Sequence, residues 1–105
     1  MVVETQVPCS IDADCAMICQ DDSMINSRIS AGDLLYVRAQ ETVEDGKIAV
    51  ILDGDVALVG RIWTYPDCLV LRPDNHWFPP RVYSGKQLEQ IKILGRVVGF
   101  ASANV

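Results

Sequence analysis

The sequence reads Asp21-Asp22-Ser23-Met24 and, shortly afterwards, Gly32-Asp33-Leu34-Leu35-Tyr36-Val37. The second segment opens on a Gly-Asp turn and continues as an apolar run of β-forming residues, which predicts a strand over residues 34–39. The first segment presents Ser23 on a loop, preceded by two carboxylates and followed by a methionine. Taken alone, Ser23 fits an ordinary loop serine that hydrogen-bonds its own backbone.

Size and charge restrict the class of protein. The 105 residues fit one compact domain, which we expect to span 1–105 with 1–10 as an N-terminal lead-in. Half of the residues are hydrophobic, so the chain can bury a core. The net charge of −5 argues against a nucleic-acid surface, which needs clustered Lys and Arg. We therefore expect DNA contact only through a separate domain.

Membrane, secretion and metal signals are absent from the sequence. Asp53 and Asp55 interrupt the longest apolar run, and the N-terminus lacks a basic segment followed by an apolar one. The four cysteines include no CxxC pair, and His76 is the single histidine. We therefore expect a cytoplasmic protein with reduced thiols, no membrane partner, no metal and no cofactor. The acidic residues near the N-terminus lack the ligand spacing of a calcium loop and favour a solvated face; they are Asp12, Asp14, Asp21 and Asp22.

The pattern of apolar runs and turns predicts a mostly-β fold. Asp53-Gly54 predicts a two-residue hairpin of type I′, in which both positions need a positive φ. Gly95 and Gly99 interrupt the last strand and predict bulges or close backbone approaches. We expect a proline-rich loop over 72–80 and one or two helical turns over 85–90. The predicted extended segments are 13–19, 34–39, 47–53, 55–63, 68–71 and 91–101, which together favour a rolled sheet or barrel.

One strand alternates in a way that bears on the site. Over residues 55–63, one face carries Val56, Leu58, Gly60 and Ile62, and the other carries Ala57, Val59, Arg61 and Trp63. The preceding strand, 47–53, is almost wholly apolar, so we expect it to be buried on both faces.

In their order, these segments resemble the carboxyl-terminal domain of LexA, UmuD and phage repressors, which are self-cleaving serine peptidases related to signal peptidases. Asp22-Ser23-Met24 resembles the core of the family's Gly-Asp-Ser-Met motif, and Gly32-Asp33 resembles its following turn. The similarity extends from about residue 11 through a strand-hairpin-strand, a loop and a closing strand, at 47–62, 71–80 and 93–99. The resemblance implies a β-clip or rolled barrel of short strands. It also implies that Ser23 holds the nucleophile position, with Asp22 and Met24 in the oxyanion loop.

The resemblance also implies a catalytic lysine, which the sequence does not supply. A serine hydroxyl needs a neighbouring base, and a lysine serves only when burial keeps it neutral. The family's lysine stands just before Arg61-Ile62, at Gly60, or at Val59 if the alignment shifts by one, and neither residue accepts a proton. A β-bulge glycine is the alternative interpretation of Gly60. Asp21 replaces the family's glycine and puts an added charge where an oxyanion would form.

Three functions remain open at this stage. The leading hypothesis is a dimerisation and regulatory module of a transcriptional regulator, with self-cleavage lost or weakened. It predicts a homodimer, formed by symmetric pairing of the edge near residues 91–101. The alternative is an active serine endopeptidase that uses another base, such as Lys47 or Lys86, with a signal-peptidase relationship as a variant. A stand-alone β binding module is the third.

Two further features bear on these hypotheses. Self-cleaving members carry an Ala-Gly or Cys-Gly bond upstream of the serine, and neither step occurs in the 22 residues before Ser23, so we expect an excised domain or a stand-alone relative. An aromatic cluster could form a ligand platform or pack the proline-rich loop against the sheet; it comprises His76, Trp77, Phe78 and Tyr83.

Overall fold

The computed structural model describes residues 2–3 and 13–102, and it confirms a mostly-β architecture. Two short 3₁₀ turns, Ile25–Ser27 and Gly85–Gln90, interrupt the strands. The expected helical character at 85–90 is thus confirmed, and a capping box between Ser84 and Gln87 begins that turn. The strands are β1 (Val2–Val3), β2 (Cys15–Ile18), β3 (Leu34–Ala39), β4 (Ile48–Asp53), β5 (Val56–Thr64), β6 (Cys68–Arg72), β7 (Arg81–Ser84) and β8 (Ile91–Ala101).

All eight strands form one antiparallel sheet in the order β1-β2-β3-β8-β4-β5-β6-β7. The last strand, β8, therefore lies between β3 and β4, which are consecutive in the sequence. Gly95 and Arg96 pair with both neighbours, whereas 97–101 pair with β3 and 91–93 pair with β4. The expectation that 91–101 forms a sheet edge is thus wrong for the strand as a whole. Among the described strands, the middle of β8 has a partner on both sides, whereas each of its two ends has a partner on one side.

The expected irregularities in β8 are present. The register shifts opposite Tyr36/Val37 and opposite Val50/Ile51, as a β-bulge produces. At Gly95 a Cβ would lie 2.0 Å from the Arg38 carbonyl oxygen, so only glycine permits β3 to approach this closely. The glycine lies where β8 pairs with β3 and β4 together.

The hairpin between β4 and β5 is confirmed, but the predicted turn residues are wrong by one position. Asp53 pairs with Val56, so the two-residue loop is Gly54-Asp55 rather than Asp53-Gly54. Gly54 has φ +60. Asp55 does not have a positive φ, since Arg28 is the one described residue other than glycine that does. A glycine at the first central position is the requirement of a type II′ turn, not of type I′.

Two apolar clusters form the core, one on each face of β4. Val50 belongs to the first cluster, and Ala49 and Ile51 belong to the second, so β4 is buried on both faces as expected. Along β5, Ala57 and Val59 pack on the first cluster while Leu58 and Ile62 face the second, which confirms the alternation. A sheet with a core on both faces must curl so that its own strands and loops cover them.

Some elements were not predicted. No strand was expected at 81–84, yet β7 pairs with β6 there: Val82 lies opposite Val70, and Tyr83 lies opposite Leu69. The two-residue β1 pairs with β2, and the 3₁₀ turn Ile25–Ser27 follows the serine. Within the described part of the chain, no helix is long and apolar enough to cross a membrane.

Candidate functional site

Ser23 lies on the loop that joins β2 to the 3₁₀ turn Ile25–Ser27, with 7% of its surface exposed. The next residue, Met24, is fully buried in the first core cluster with Ile29 and Leu35. An apolar side chain that enters the core directly after the serine fixes the loop to the sheet. The Ser-Met step thus places the serine hydroxyl at the surface of a packed core.

Carboxylates of the loop satisfy its own backbone amides. The Ser23 N–H donates to Asp21 Oδ1 at 2.9 Å, and the Ala31 N–H donates to Asp22 Oδ1 at 3.0 Å. The Asp22 carbonyl accepts from the Ile25 N–H at 3.1 Å. These local bonds replace the pairing that a strand or helix would provide. The segment 21–31 is therefore an ordered loop whose acidic side chains bond the backbone.

The loop between β6 and β7 contacts this segment through Asp74 and Asn75, and we call these contacts the clamp. The Asn26 N–H donates to the Asp74 carbonyl at 2.9 Å, and Asn75 Nδ2 donates to the Asp22 carbonyl at 2.9 Å. The Ser27 hydroxyl donates to the Asp74 carboxylate, and the Asp74 N–H contacts the Met24 sulfur at 3.3 Å. The loop between β6 and β7 thus holds the serine loop on both sides of Ser23.

Arg61 connects this clamp to β5. Its Nε donates to Asp74 Oδ2 at 2.8 Å, and one terminal nitrogen donates to the Gly46 carbonyl at 2.8 Å. The Asp74 side chain is 16% exposed, so the pair is only partly screened by water. Arg61 follows Gly60 directly, and the strand expected to carry the base is therefore tied to the loop that carries the serine.

A small cleft of about 80 Å³ opens beside Ser23. Its lining includes Asp21 and Ser23 from the serine loop, together with Val59, Leu71 and further residues that are mainly apolar. Val59, the position reached when the alignment shifts by one, therefore borders the same cleft as the serine.

Gly60 does not line the cleft. A Cβ at Gly60 would lie 2.8 Å from Leu71 Cγ and 3.1 Å from the Arg72 carbonyl oxygen. Leu71 lines the cleft, so its side chain takes the space into which a side chain at Gly60 would grow. Gly60 pairs in regular register with Ala49, and the bulge of the alternative interpretation is not found there.

None of the three lysines of this chain lines the cleft. Lys47 lies just before β4, Lys86 lies in the second 3₁₀ turn, Lys92 lies in β8, and all three are exposed. The basic side chain at the cleft is Arg81, and a guanidinium has five N–H donors and no acceptor, so it cannot take a proton from the serine. The cleft therefore combines a serine, a carboxylate and an arginine on an apolar floor.

A family model described as Peptidase S24-like matches residues 3–98. The chain belongs to this family. It is 44% identical over 78 residues to a LexA repressor of Desulforamulus reducens, covering 74% of this chain and 34% of that protein. It is 41% identical over 85 residues to a LexA repressor of Oleidesulfovibrio alaskensis, covering 80% of this chain and 40% of that protein.

The S24-like chain thus spans between a third and two fifths of the length of these curated relatives. The family resemblance inferred from the sequence is confirmed, and the chain is LexA-like over most of its length. The match includes β2, the serine loop, the β4–β5 hairpin and most of β8.

The structure divides the aromatic cluster of this S24-like chain. Tyr83 is buried in the second core cluster, and Phe78 borders the Ser23 cleft. Trp77 is 80% exposed and lies against the His76 ring, with 5.2 Å between ring centroids. The four residues therefore do not form one platform.

The remaining acidic and cysteine residues have structural surroundings. Asp14 Oδ2 accepts from the Ala39 N–H at 2.7 Å, Asp12 lies outside the described residues, and no group of metal-binding side chains occurs within 13–102. Cys19 is buried, and its thiol donates to the Asp21 carbonyl at 3.2 Å. Burial raises the pKa of Cys19, with the carboxylates of Asp21, Asp33 and Asp22 acting in the same direction.

Sequence reasoning missed the clamp. Arg61, Asp74 and Asn75 were noticed only as parts of matching segments, with no role assigned to them. Their contacts join residues 13 to 53 positions apart, and such pairs leave no periodic signal in the sequence. The available signal was the polar pair Asp74-Asn75 inside an otherwise apolar and proline-rich loop.

Proposed function

We propose that this S24-like domain is a regulatory and dimerisation module of a transcriptional repressor, in which self-cleavage is lost or strongly weakened. The observation that carries the proposal is the cleft beside Ser23, which is bordered by Val59 and contains no lysine. The similarity to LexA repressors supports the regulatory role. In this proposal Ser23 holds the nucleophile position, and Val59 or Gly60 holds the place of the base.

The chemical argument concerns the serine proton. Attack by a hydroxyl requires a group that takes its proton as the new bond forms. The carboxylate that lines the cleft, Asp21, is engaged by the Ser23 amide, and Arg81 has no lone pair to offer. Lys47 and Lys86, the bases of the alternative hypothesis, do not line the cleft. In this proposal, Ser23 therefore has no neighbouring group that serves as its base.

The peptidase arm of the proposal is tested by covalent labelling. A fluorophosphonate reacts when Ser23 Oγ attacks phosphorus, fluoride leaves, and the hydroxyl proton passes to a base. We expect the unmodified protein to show no mass increase at neutral pH, with Ser23→Ala as the matched control. A single label that Ser23→Ala loses would overturn the proposal and favour the active endopeptidase.

Lysine variants identify the position of the lost base. We expect Val59→Lys to label at Ser23, because its side chain starts at the wall of the cleft. Gly60→Lys alone crowds Leu71, and the double variant Gly60→Lys/Leu71→Ala makes room for the same amine. Labelling of the double variant with an inert Val59→Lys would assign the place of the base to Gly60.

We also propose that two copies pair along the second half of β8. Among the described strands, residues 97–101 pair with β3 alone, and no described strand lies on the other side of this segment. Phe100 in this segment is 43% exposed, so a large apolar side chain lies at the surface there. Symmetric antiparallel pairing of this segment would bury the side chain and satisfy the backbone.

Light scattering at micromolar concentration tests the dimer. We expect a dimer in the unmodified protein and a monomer in Phe100→Glu. Val82→Glu is the matched control, because Val82 is also exposed, at 58%, but lies on β7 at the far end of the sheet. A monomeric unmodified protein, or a dimer that Val82→Glu dissociates, would contradict pairing through β8.

DNA recognition is assigned to a separate domain in this proposal. The net charge of −5 is unfavourable for contact with phosphates, and the relatives are more than twice as long as the matched region. We expect the isolated chain not to shift a DNA fragment in a gel at physiological salt. A shift that disappears as salt is raised would place a DNA-binding surface on this domain instead.

A further inference from the structure

The backbone amide of Ser23, the residue in the nucleophile position, has a carboxylate as its hydrogen-bond acceptor. It donates to the carboxylate of Asp21, two residues earlier, at 2.9 Å. Asp21 and Ser23 both line the cleft, so the donor and its acceptor belong to the same site. The neighbouring carboxylate, Asp22, is turned away and bonds the Ala31 amide instead.

The backbone N–H of the nucleophile is one of the donors that serine peptidases use to hold the oxyanion. Such a donor works because it is pre-aimed at a negative oxygen and is free to receive it. A carboxylate oxygen already in that place offers the same negative charge and the same acceptor geometry. An incoming oxyanion would have to displace it, and would meet its repulsion.

We propose that the Ser23 amide is an oxyanion donor that is occupied in this protein by the Asp21 carboxylate, which an incoming oxyanion would have to displace. The inference rests on the proposed function, because it takes Ser23 as the nucleophile position. It adds a second effect, a slowing of reaction at Ser23, that does not depend on the missing lysine. When the Asp21 side chain is removed, the Ser23 N–H is expected to bind a carboxylate or another oxyanion.

The position of Asp21 is well defined by the surrounding contacts. Its carbonyl accepts from the Cys19 thiol at 3.2 Å, and Met24 anchors the other end of the loop in the core. The side chain therefore closes onto Ser23 from a backbone held at both ends. Asp22 carries the same charge one residue nearer to Ser23 but bonds another amide, which makes it the matched control.

Amide hydrogen exchange measures whether the Asp21 carboxylate occupies the Ser23 N–H. In ¹⁵N-labelled protein, we expect Asp21→Gly to speed exchange of the Ser23 amide by about tenfold or more, since a bond to a charged acceptor is lost. Asp22→Gly should instead speed exchange of the Ala31 amide and leave Ser23 unchanged. Asp21→Ala, which lacks the added backbone freedom of glycine, is measured alongside as the second variant. An unchanged Ser23 amide in the Asp21 variants, or an equal change in Asp22→Gly, would overturn the inference.

Labelling measures whether the carboxylate limits reaction. At alkaline pH, where hydroxide can serve as base, we expect Asp21→Gly to react with a fluorophosphonate about tenfold or more faster than Asp22→Gly, because only the former frees the donor. Equal rates, including no label in either variant, would overturn the inference. The outcome is separable from the proposed function, which depends on labelling of the unmodified protein at neutral pH.

Discussion

The guanidinium of Arg61 and the carboxylate of Asp74 join the strand beside the cleft to the loop that holds Ser23. Nε of Arg61 lies 2.8 Å from Asp74 Oδ2, and the same oxygen accepts from the Ser27 hydroxyl. The carboxylate therefore receives donors from β5 and from the serine loop together. Loss of either partner leaves a partly buried charge without its ion pair.

A double-mutant cycle should reveal this coupling. We expect Arg61→Ala and Asp74→Ala each to lower the free energy of unfolding, with an interaction energy of about 0.5–3 kcal/mol between them. Urea unfolding of the two single variants and the double variant measures it. Additive effects would show that the two side chains act independently, in spite of their contact.

Asn75 should contribute more to stability than an exposed amide side chain. It is 9% exposed, and its side chain donates to the Asp22 carbonyl and accepts from the Trp77 N–H at 3.0 Å. We expect Asn75→Ala to lower the free energy of unfolding by about 1–3 kcal/mol, because two backbone groups lose their partner. Gln20→Ala, whose amide bonds the Ile18 carbonyl at the surface, is the control and should change stability by less than about 0.5 kcal/mol. Equal effects would contradict the clamp.

The two close glycines of the sheet should differ in their tolerance of a methyl group. At Gly95 the obstacle is the Arg38 backbone at 2.0 Å, whereas at Gly60 the nearest atom belongs to the Leu71 side chain at 2.8 Å. We expect Gly95→Ala to lower the free energy of unfolding by at least about 3 kcal/mol, and Gly60→Ala by about 1–3 kcal/mol, because a side chain moves more readily than a strand. Thermal unfolding compares them, and the reverse order would refute this account.

Cys19 should react more slowly than the partly exposed Cys68. Burial raises the pKa of the Cys19 thiol, which lowers its thiolate fraction and its access to reagents. Iodoacetamide modification followed by peptide mapping measures both rates. The neutral thiol is favoured in the folded state, so its stabilising effect is present below the ordinary thiol pKa of about 8.5 and is lost as pH rises above it. A Cys19 rate equal to that of Cys68 across this range would contradict the prediction.

Much of the fold follows from local patterns in the sequence. The bounds predicted for β3 and β8 agree with the structure, because runs rich in apolar, β-forming residues mark both strands. The two faces predicted for β5 were also correct, because successive side chains of a strand point to opposite sides of the sheet. Arg81–Ser84 was missed because a four-residue strand after two prolines carries too little pattern.

The site was less accessible to sequence reasoning. The position of Ser23 on a loop before β3 followed from its motif, but the bond from its amide to Asp21 depends on the backbone path of the loop. The placement of Val59 at the cleft, with Leu71 beside Gly60, depends on how β6 packs against β5. Neither relationship is encoded within a short window of sequence, because both join elements that meet only after folding.

The place of β8 between β3 and β4 has a consequence for biosynthesis. The ribosome releases β3 and β4 long before β8, yet these two strands have no pairing with each other and reach the sheet only through it. Until the last strand emerges, the nascent chain holds a serine loop on one incomplete sheet fragment and a hairpin on another. The residues that line the cleft all precede β8 in the sequence, but the ladder that contains β3 and the ladder that contains β4 join into one sheet only after β8 has been translated.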